Sequence, residues 1–218
     1  MEIFIDSAKI EEVKEAVDLG IVDGVTTNPT WIAASGKKFP DVINEIYDLI
    51  KKPINVQVTA TNYLKILSQA RKISQLNEKI IVKIPAIPEG IKAIGTLSQE
   101  GIRTNLTLVC SPMQAFLAAK LGANYVSPFV GRLDKISLDG SEIIKKIRTI
   151  FDNYDYKTKI LVAGPLSPLG ALEGALIGAD AVTMKLDILK RLYDHPLTDR
   201  GLKNFLLDWK NANLSEIE

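Results

Sequence analysis

Short apolar segments alternate with longer amphipathic segments along the whole chain. Runs of β-branched residues bounded by polar and turn-forming residues are typical of buried strands. Eight such runs predict strands at Ile3–Asp6, Gly24–Thr27, Ile54–Thr59, Ile80–Ile84, Arg103–Val109, Asn124–Pro128, Lys159–Gly164 and Asp180–Met184.

The longer segments repeat apolar residues every three or four positions, as at Ile143, Ile147 and Ile150. This spacing predicts helices that pack through one face. The predicted helices are Glu11–Leu19, Asp41–Lys51, Tyr63–Gln75, Ile91–Glu100, Pro112–Leu121, Ser141–Phe151, Leu169–Ile177 and Ile188–Tyr193.

Strict alternation of strands and helices favours an α/β fold with a parallel sheet and right-handed crossovers. Eight units predict a single (β/α)8 barrel domain, a TIM barrel, over residues 1–218. An open doubly wound sheet is the alternative, although the Gly-rich turn of a dinucleotide-binding fold is missing after the first strand.

A further helix is predicted over residues 198–210, with Thr198 as its N-cap. Its apolar stripe is Leu202, Phe205, Leu206 and Trp209. We expect this helix either to cover the barrel or to pack on a neighbouring subunit.

Composition narrows the functional classes. The 218 residues are 46% hydrophobic and 24% charged with a net charge of +1, so nothing points to nucleic acid or a membrane surface. The chain opens on a strand and has no apolar stretch of membrane-spanning length, so we expect a cytoplasmic protein without a signal peptide. One cysteine, Cys110, and one histidine, His195, argue against a disulfide within the chain and against a metal site.

Lys83 stands out because it interrupts the apolar run of the fourth predicted strand. Burying an ammonium is costly unless the group has partners or gives up its proton. A neutral lysine amine can attack a carbonyl and form a Schiff base. The alternative is a lysine on an edge strand whose charged head reaches water.

Polar residues lie at the predicted carboxyl ends of most strands, which is where such barrels carry their chemistry. Residues two apart share one face of a strand, so these groups are expected to surround Lys83 as an active site. The set is Asp6, Thr26, Thr27, Asn28, Gln57, Thr59, Lys83, Asn105, Thr107, Ser127 and Lys185.

Chemistry suggests roles within this set. Asp6 could take or return a proton at a substrate hydroxyl, or it could instead cap the following helix. Asn28 and Asn105 could donate hydrogen bonds to sugar hydroxyls, or serve strand-end turns. Gln57 and Thr107 could hold a water molecule.

Arg132 follows the sixth predicted strand and could bind an anion. The alternative is an ion pair with Asp134 or Asp139.

Five segments of the chain resemble the signature segments of the transaldolase family, in order and over essentially its whole length. The most similar branch is the short one that also contains fructose-6-phosphate aldolase. The segments are Asp6, Val25–Pro29, Val82–Pro85, Thr104–Leu108 and Ser127–Arg132. The resemblance implies a class I aldolase barrel with Lys83 as the Schiff-base lysine and with no cofactor.

The resemblance also implies residue roles. Lys83 would attack the C2 carbonyl of a ketose, Asp6 would accept the C4 hydroxyl proton as the C3–C4 bond breaks, and Thr107 would position the catalytic water, with Gln57 beside it. The substrate-binding residues that it implies are Asn28, Asn105, Ser127 and Arg132, and we expect Thr26, Phe129 and Lys185 to line the same site.

The chain departs from the family at several of these positions. Phe129 and Asn105 match transaldolases, whereas Gln57 matches the aldolase branch in place of a glutamate. Glutamine is not an ordinary acid or base, so water and Asp6 would have to carry the protons.

The phosphate loop also differs, since Gly164 and Leu166 stand where the family usually has a serine and a basic residue. We expect Lys185 to restore the positive charge beside Arg132. The alternative is that Lys185 pairs with Asp187 or faces solvent.

The resemblance favours a transaldolase of the pentose phosphate pathway that transfers a dihydroxyacetone unit from fructose 6-phosphate or sedoheptulose 7-phosphate to an aldose phosphate. The alternatives are a fructose-6-phosphate aldolase that releases free dihydroxyacetone and a non-catalytic barrel that binds phosphosugars. The expected partners are phosphorylated sugars and further copies of the chain, as a pentamer or decamer assembled through the C-terminal helix.

Overall fold

Eight parallel strands close into a barrel in chain order, and the first strand completes the closure by pairing with the eighth. The computed structural model describes residues 1–212. The predicted TIM-barrel fold is therefore confirmed, and the open doubly wound sheet is wrong. The strands are β1 (Glu2–Asp6), β2 (Gly24–Thr26), β3 (Ile54–Gln57), β4 (Ile80–Pro85), β5 (Thr104–Val109), β6 (Tyr125–Pro128), β7 (Lys159–Ala163) and β8 (Ala181–Met184).

Helices surround the barrel, and each predicted helix is present with ends that differ by a few residues at most. Two short helices, at Pro29–Ala34 and Val130–Asp134, were not predicted because a helix of one or two turns shows no clear apolar period. The helices are α1 (Ile10–Asp18), α2 (Pro29–Ala34), α3 (Phe39–Ile50), α4 (Tyr63–Ser74), α5 (Pro88–Gln99), α6 (Pro112–Lys120), α7 (Val130–Asp134), α8 (Gly140–Asn153), α9 (Pro168–Ile177), α10 (Leu186–Arg191) and α11 (Pro196–Asn211). Within residues 1–212, none of them has the length and apolar character needed to cross a bilayer.

Successive side chains of each strand point alternately outward and into the lumen, and this alternation separates two apolar clusters. One set of strand residues, such as Ile5, Val56 and Val82, packs outward against the helices. The other set fills the lower lumen, where Phe4 and Tyr125 are in edge-to-face contact. Because apolar side chains fill that end of the barrel, the polar lumen residues gather toward the carboxyl ends of the strands.

The fifth strand contains a bulge at the level of the polar residues. Its register with β6 shifts between Leu106 and Val109, and Leu108 has a left-handed backbone with φ 61°. The extra residue returns Val109 to the outer apolar cluster. Thr107, directly before the bulge, is fully buried.

The C-terminal helix begins two residues earlier than the prediction. His195 caps it, since its Nδ1 accepts the Leu197 backbone N–H at 3.2 Å, and Pro196 occupies the first turn. The predicted N-cap at Thr198 is therefore wrong, because proline is already suited to the first helical position. Among the residues that the structure describes, α11 buries none, and Phe205 and Leu206 are exposed.

Candidate active site

Lys83 lies in the middle of the barrel wall, because β4 pairs with β3 on one side and β5 on the other. Its side chain is 5% exposed, and Nζ donates a hydrogen bond to the carbonyl oxygen of Thr27 at 3.1 Å. The edge-strand alternative is therefore wrong. Burial lowers the pKa of Lys83 to about 8, while the negative charge of Asp6 opposes part of that shift. About a tenth of the amine is thus neutral at pH 7, far more than for a lysine in water.

Asp6 ends β1 and is held by a neighbouring hydroxyl. Thr26 Oγ1 donates to Asp6 Oδ1 at 3.2 Å and lies 2.6 Å from the Thr183 hydroxyl. The N-cap residue of α1 is Lys9, so the capping alternative for Asp6 is wrong. Thr26 was predicted to bind substrate, but its one hydrogen is directed at Asp6. Thr183 was missed, although a lone hydroxyl in the apolar run of β8 was a signal for it.

A buried chain of hydrogen bonds crosses the lumen beside Lys83. Ser127 Oγ donates to Asn105 Oδ1 at 2.8 Å, and Asn105 Nδ2 donates to Asn55 Oδ1 at 2.8 Å. Asn55 Nδ2 is buried and has no partner within residues 1–212. Asn55 was missed, although its position two residues before Gln57 places it on the same face of β3.

Thr107 is the second buried group of the lumen that still has an open hydrogen-bonding position. Its Oγ1 has no partner in the described part of the chain. Thr107 is in register with Pro85, on the strand that carries Lys83. Buried polar atoms normally have partners, so an unpaired one beside the lysine suits a water molecule or a substrate hydroxyl.

Asn28 and Gln57 lie at the rim. Asn28 is the N-cap of α2, and its Oδ1 accepts the Trp31 backbone N–H at 3.1 Å. The alternative of a turn hydrogen bond is therefore confirmed for the side-chain oxygen, while Nδ2 can still donate to a ligand. Gln57 is in register with Lys83 and is half-buried. Both line a cavity of about 550 Å³, mostly apolar, between α2 and α4, within the size range of ligand pockets.

Arg132 belongs to the short helix α7, which follows β6. Its guanidinium lies 4.8 Å from the ring centroid of Phe129, and the side chain is exposed. In the described residues it forms no ion pair with Asp134 or Asp139, which instead accept the backbone N–H groups of Gly140 and Ser141. The ion-pair alternative is therefore wrong, and the guanidinium is available to an anion.

Lys185 is placed differently from Arg132. It precedes α10, and its Nζ lies 5.5 Å from the ring centroid of Trp31, in a cavity of about 350 Å³ that Lys9 and Glu12 also line. It is exposed and makes no ion pair with Asp187 in the described part of the chain. The Asp187 pair is therefore wrong, the exposed side chain agrees with the alternative that Lys185 faces solvent, and the phosphate contact stays a prediction.

Acidic, histidine and cysteine side chains are scattered in the fold. Within residues 1–212, no three of them are grouped closely enough to hold a metal ion.

Comparison with known proteins identifies the family of the chain. The model of the Transaldolase/Fructose-6-phosphate aldolase family matches residues 3–216. A probable transaldolase of Petrotoga mobilis is 53% identical, over 96% of this chain and 95% of that protein. Probable transaldolases of Geotalea daltonii and Thermoplasma acidophilum are 52% and 53% identical, over 97% and 98% of this chain and 99% and 97% of those proteins. With a match to the family model over nearly its whole length, the chain belongs to the transaldolase/fructose-6-phosphate aldolase family.

Proposed function

We propose that the protein is a transaldolase, which transfers a dihydroxyacetone unit from a ketose phosphate such as fructose 6-phosphate to an aldose phosphate in the pentose phosphate pathway. The observation that carries the proposal is the buried Lys83, whose pKa is lowered to about 8 inside a ring of polar side chains. The names of the probable transaldolases that the chain is similar to support the transferase branch. We place the activity in the cytoplasm.

The reaction begins at Lys83. Its neutral amine adds to the C2 carbonyl of the ketose and gives a carbinolamine, which loses water to become the iminium. The open hydrogen-bonding position of Thr107 and the amide of Gln57 are suited to hold that water.

Asp6 then takes the proton of the C4 hydroxyl as the C3–C4 bond breaks. The electron pair of that bond moves into the iminium, which becomes an enamine, and the aldose leaves with a new C4 carbonyl. The enamine attacks the acceptor aldehyde, and Asp6 returns its proton to the new alkoxide. Water then adds to the regenerated iminium, and its hydrolysis releases the new ketose phosphate and the free Lys83 amine. Asn28, Asn105 and Ser127 hold the three-carbon unit, and Arg132 with Lys185 binds phosphate.

Reductive trapping tests the covalent step. Borohydride with fructose 6-phosphate is expected to leave an adduct on the peptide that contains Lys83, detected by mass spectrometry. Lys83→Met is expected to remove the adduct, and Lys120→Met, at an exposed lysine of α6, is expected to keep it. If the wild-type protein shows no adduct at any lysine, both enzyme activities would be excluded, and a barrel that only binds phosphosugars would remain.

Fructose-6-phosphate aldolase is the second candidate, and Gln57 favours it because the position is a glutamine in that branch. The two activities differ in what happens to the enamine when no acceptor is present. Incubation with fructose 6-phosphate alone is expected to give at most one dihydroxyacetone per active site. Continuous release of free dihydroxyacetone would identify the aldolase.

We further propose that the protein is a homo-oligomer, a pentamer or decamer in which α11 packs on a neighbouring copy. Leu202, Phe205 and Leu206 are exposed on α11. Light scattering is expected to give a smaller particle for a chain that ends at Asp194 and for Phe205→Asp than for the full chain. An unchanged mass for both variants would contradict the proposal.

A further inference from the structure

Thr183 is a buried polar residue to which the proposed reaction gives no role. It lies on β8, is 3% exposed and is in register with Phe4 on β1. Its hydroxyl oxygen lies 2.6 Å from that of Thr26, which in turn lies 3.2 Å from Asp6 Oδ1. Three neighbouring strands, β8, β1 and β2, thus contribute one side chain each to a continuous hydrogen-bonded chain.

The direction of this chain follows from the number of hydrogens. Thr26 Oγ1 donates its single hydroxyl hydrogen to Asp6 Oδ1. Thr26 then has only lone pairs to offer, and Thr183 must be the donor of the short contact between the two hydroxyls. The chain therefore runs from Thr183 through Thr26 to Asp6. Hydrogen bonds that point the same way in a buried setting polarise and strengthen one another.

The chain engages one carboxylate oxygen of Asp6 and leaves the other for a substrate. Thr26 alone could rotate about its side-chain bond and turn its hydrogen away, whereas a donor behind it favours the rotamer that faces Asp6. We propose that Thr183 is a positioning residue of the reaction, which holds Asp6 through Thr26 for the proton transfer at the C4 hydroxyl. This inference rests on the proposed function, because it needs Asp6 as the proton acceptor.

Thr183→Val tests the inference, since valine keeps the shape and lacks the hydroxyl. The variant is expected to lower kcat for transfer from fructose 6-phosphate to erythrose 4-phosphate roughly tenfold, the effect of about one buried hydrogen bond. KM is expected to stay within about twofold, because the proposed reaction gives Thr183 no contact with substrate. Borohydride trapping of dihydroxyacetone on Lys83 is expected to be unchanged, since that ketone has no C3–C4 bond to cleave.

Two further variants separate positioning from a general structural effect. Thr183→Ser restores the hydroxyl and is expected to keep most of the transfer rate. Thr104→Val is the matched control, because Thr104 is equally buried in β5 and its hydroxyl has no partner in the described residues. It is expected to change neither transfer nor trapping.

The outcomes are distinguishable. If Thr183→Val has the same kcat for transfer as the wild-type protein, the positioning role would be overturned and the proposed function would remain intact. Equal loss of trapping and transfer, with a lower melting temperature, would mark a purely structural role and would also overturn it. If borohydride traps no adduct on the wild-type protein, the proposed function itself would be overturned.

Discussion

The chemistry of Lys83 depends on a balance between burial and charge. Burial disfavours the ammonium, and the nearby Asp6 favours it, with a resulting pKa of about 8. The Thr27 carbonyl holds Nζ in place without supplying a full opposite charge. The residue is therefore ordered and still able to lose its proton.

The rate of Schiff-base formation is expected to follow this pKa. Below pH 8 the neutral fraction falls about tenfold per pH unit, so borohydride trapping by dihydroxyacetone should slow in proportion. Above pH 8 the rate should level off. Trapping rates measured from pH 6 to 10, with Lys120→Met as a control, check this. A rate that does not change over that range would contradict it.

Lys83 is also expected to lower stability. Its folded pKa is depressed below 10.5, so between about pH 8 and 10.5 the unfolded chain binds a proton that the folded chain has lost. The free energy of unfolding should therefore rise with pH in that window. Lys83→Met should increase it by about 2 kcal/mol at pH 7, after the loss of the Thr27 hydrogen bond.

Urea unfolding of the two proteins at pH 7 and pH 10.5 measures this difference. The gain from Lys83→Met should shrink at the higher pH, because the lysine is then neutral in the folded protein. A destabilised Lys83→Met at pH 7 would contradict the prediction, because the buried lysine would then contribute more to stability than the methionine that replaces it.

Among the elements, α7 depends on a close contact with the loop after β7. A Cβ added at Gly131 would collide with the backbone carbonyl oxygen of Gly164 and would touch Leu166. Gly164 itself has a left-handed backbone with φ 64°. Because position 131 has no side chain, α7 can lie close to this loop, and that close approach determines the position of the next residue, Arg132.

Gly131→Ala is expected to push α7 away from this loop. The free energy of unfolding should fall by about 1–3 kcal/mol, as for other overpacked sites. KM for a phosphorylated ketose should rise more than kcat falls, because Arg132 moves with the helix. Gly95→Ala is the control, since its Cβ would meet only the flexible end of Leu121. Equal behaviour of the two variants in kinetics and urea unfolding would refute the prediction.

At the scale of the whole molecule, stability and chemistry lie at opposite ends of the barrel. At the N-terminal end, Tyr125 Oη donates to Glu2 Oε2 at 3.0 Å, and Lys159 Nζ donates to Glu2 Oε1 at 2.6 Å. These contacts link β1, β6 and β7 below the apolar lumen. Burial, and then the charge of Glu2, raise the pKa of Tyr125.

Tyr125→Phe is expected to reduce stability by about 1 kcal/mol at pH 7 and to leave the transfer rate unchanged. Because the pKa of Tyr125 is raised, its contribution is present below the unfolded value of 10 and is lost as pH rises through the folded value. The deficit of the variant should therefore disappear in strong alkali. Tyr154→Phe, at an exposed ring, should show no deficit in thermal unfolding at pH 7.

The sequence by itself determined the strands, the longer helices and the lysine in an apolar run, because alternation and helical period are local properties. It also indicated most of the polar residues near the carboxyl ends of the strands, although it missed Asn55 and Thr183. Only the tertiary structure decided which of these groups meet. Barrel closure brings Thr183 within 2.6 Å of Thr26, and it brings Asn55 within 2.8 Å of Asn105, although each pair is far apart in the chain. It likewise brings Lys185 close to Trp31. Contacts of this kind depend on the register and tilt of the strands in the closed sheet, which no local pattern contains.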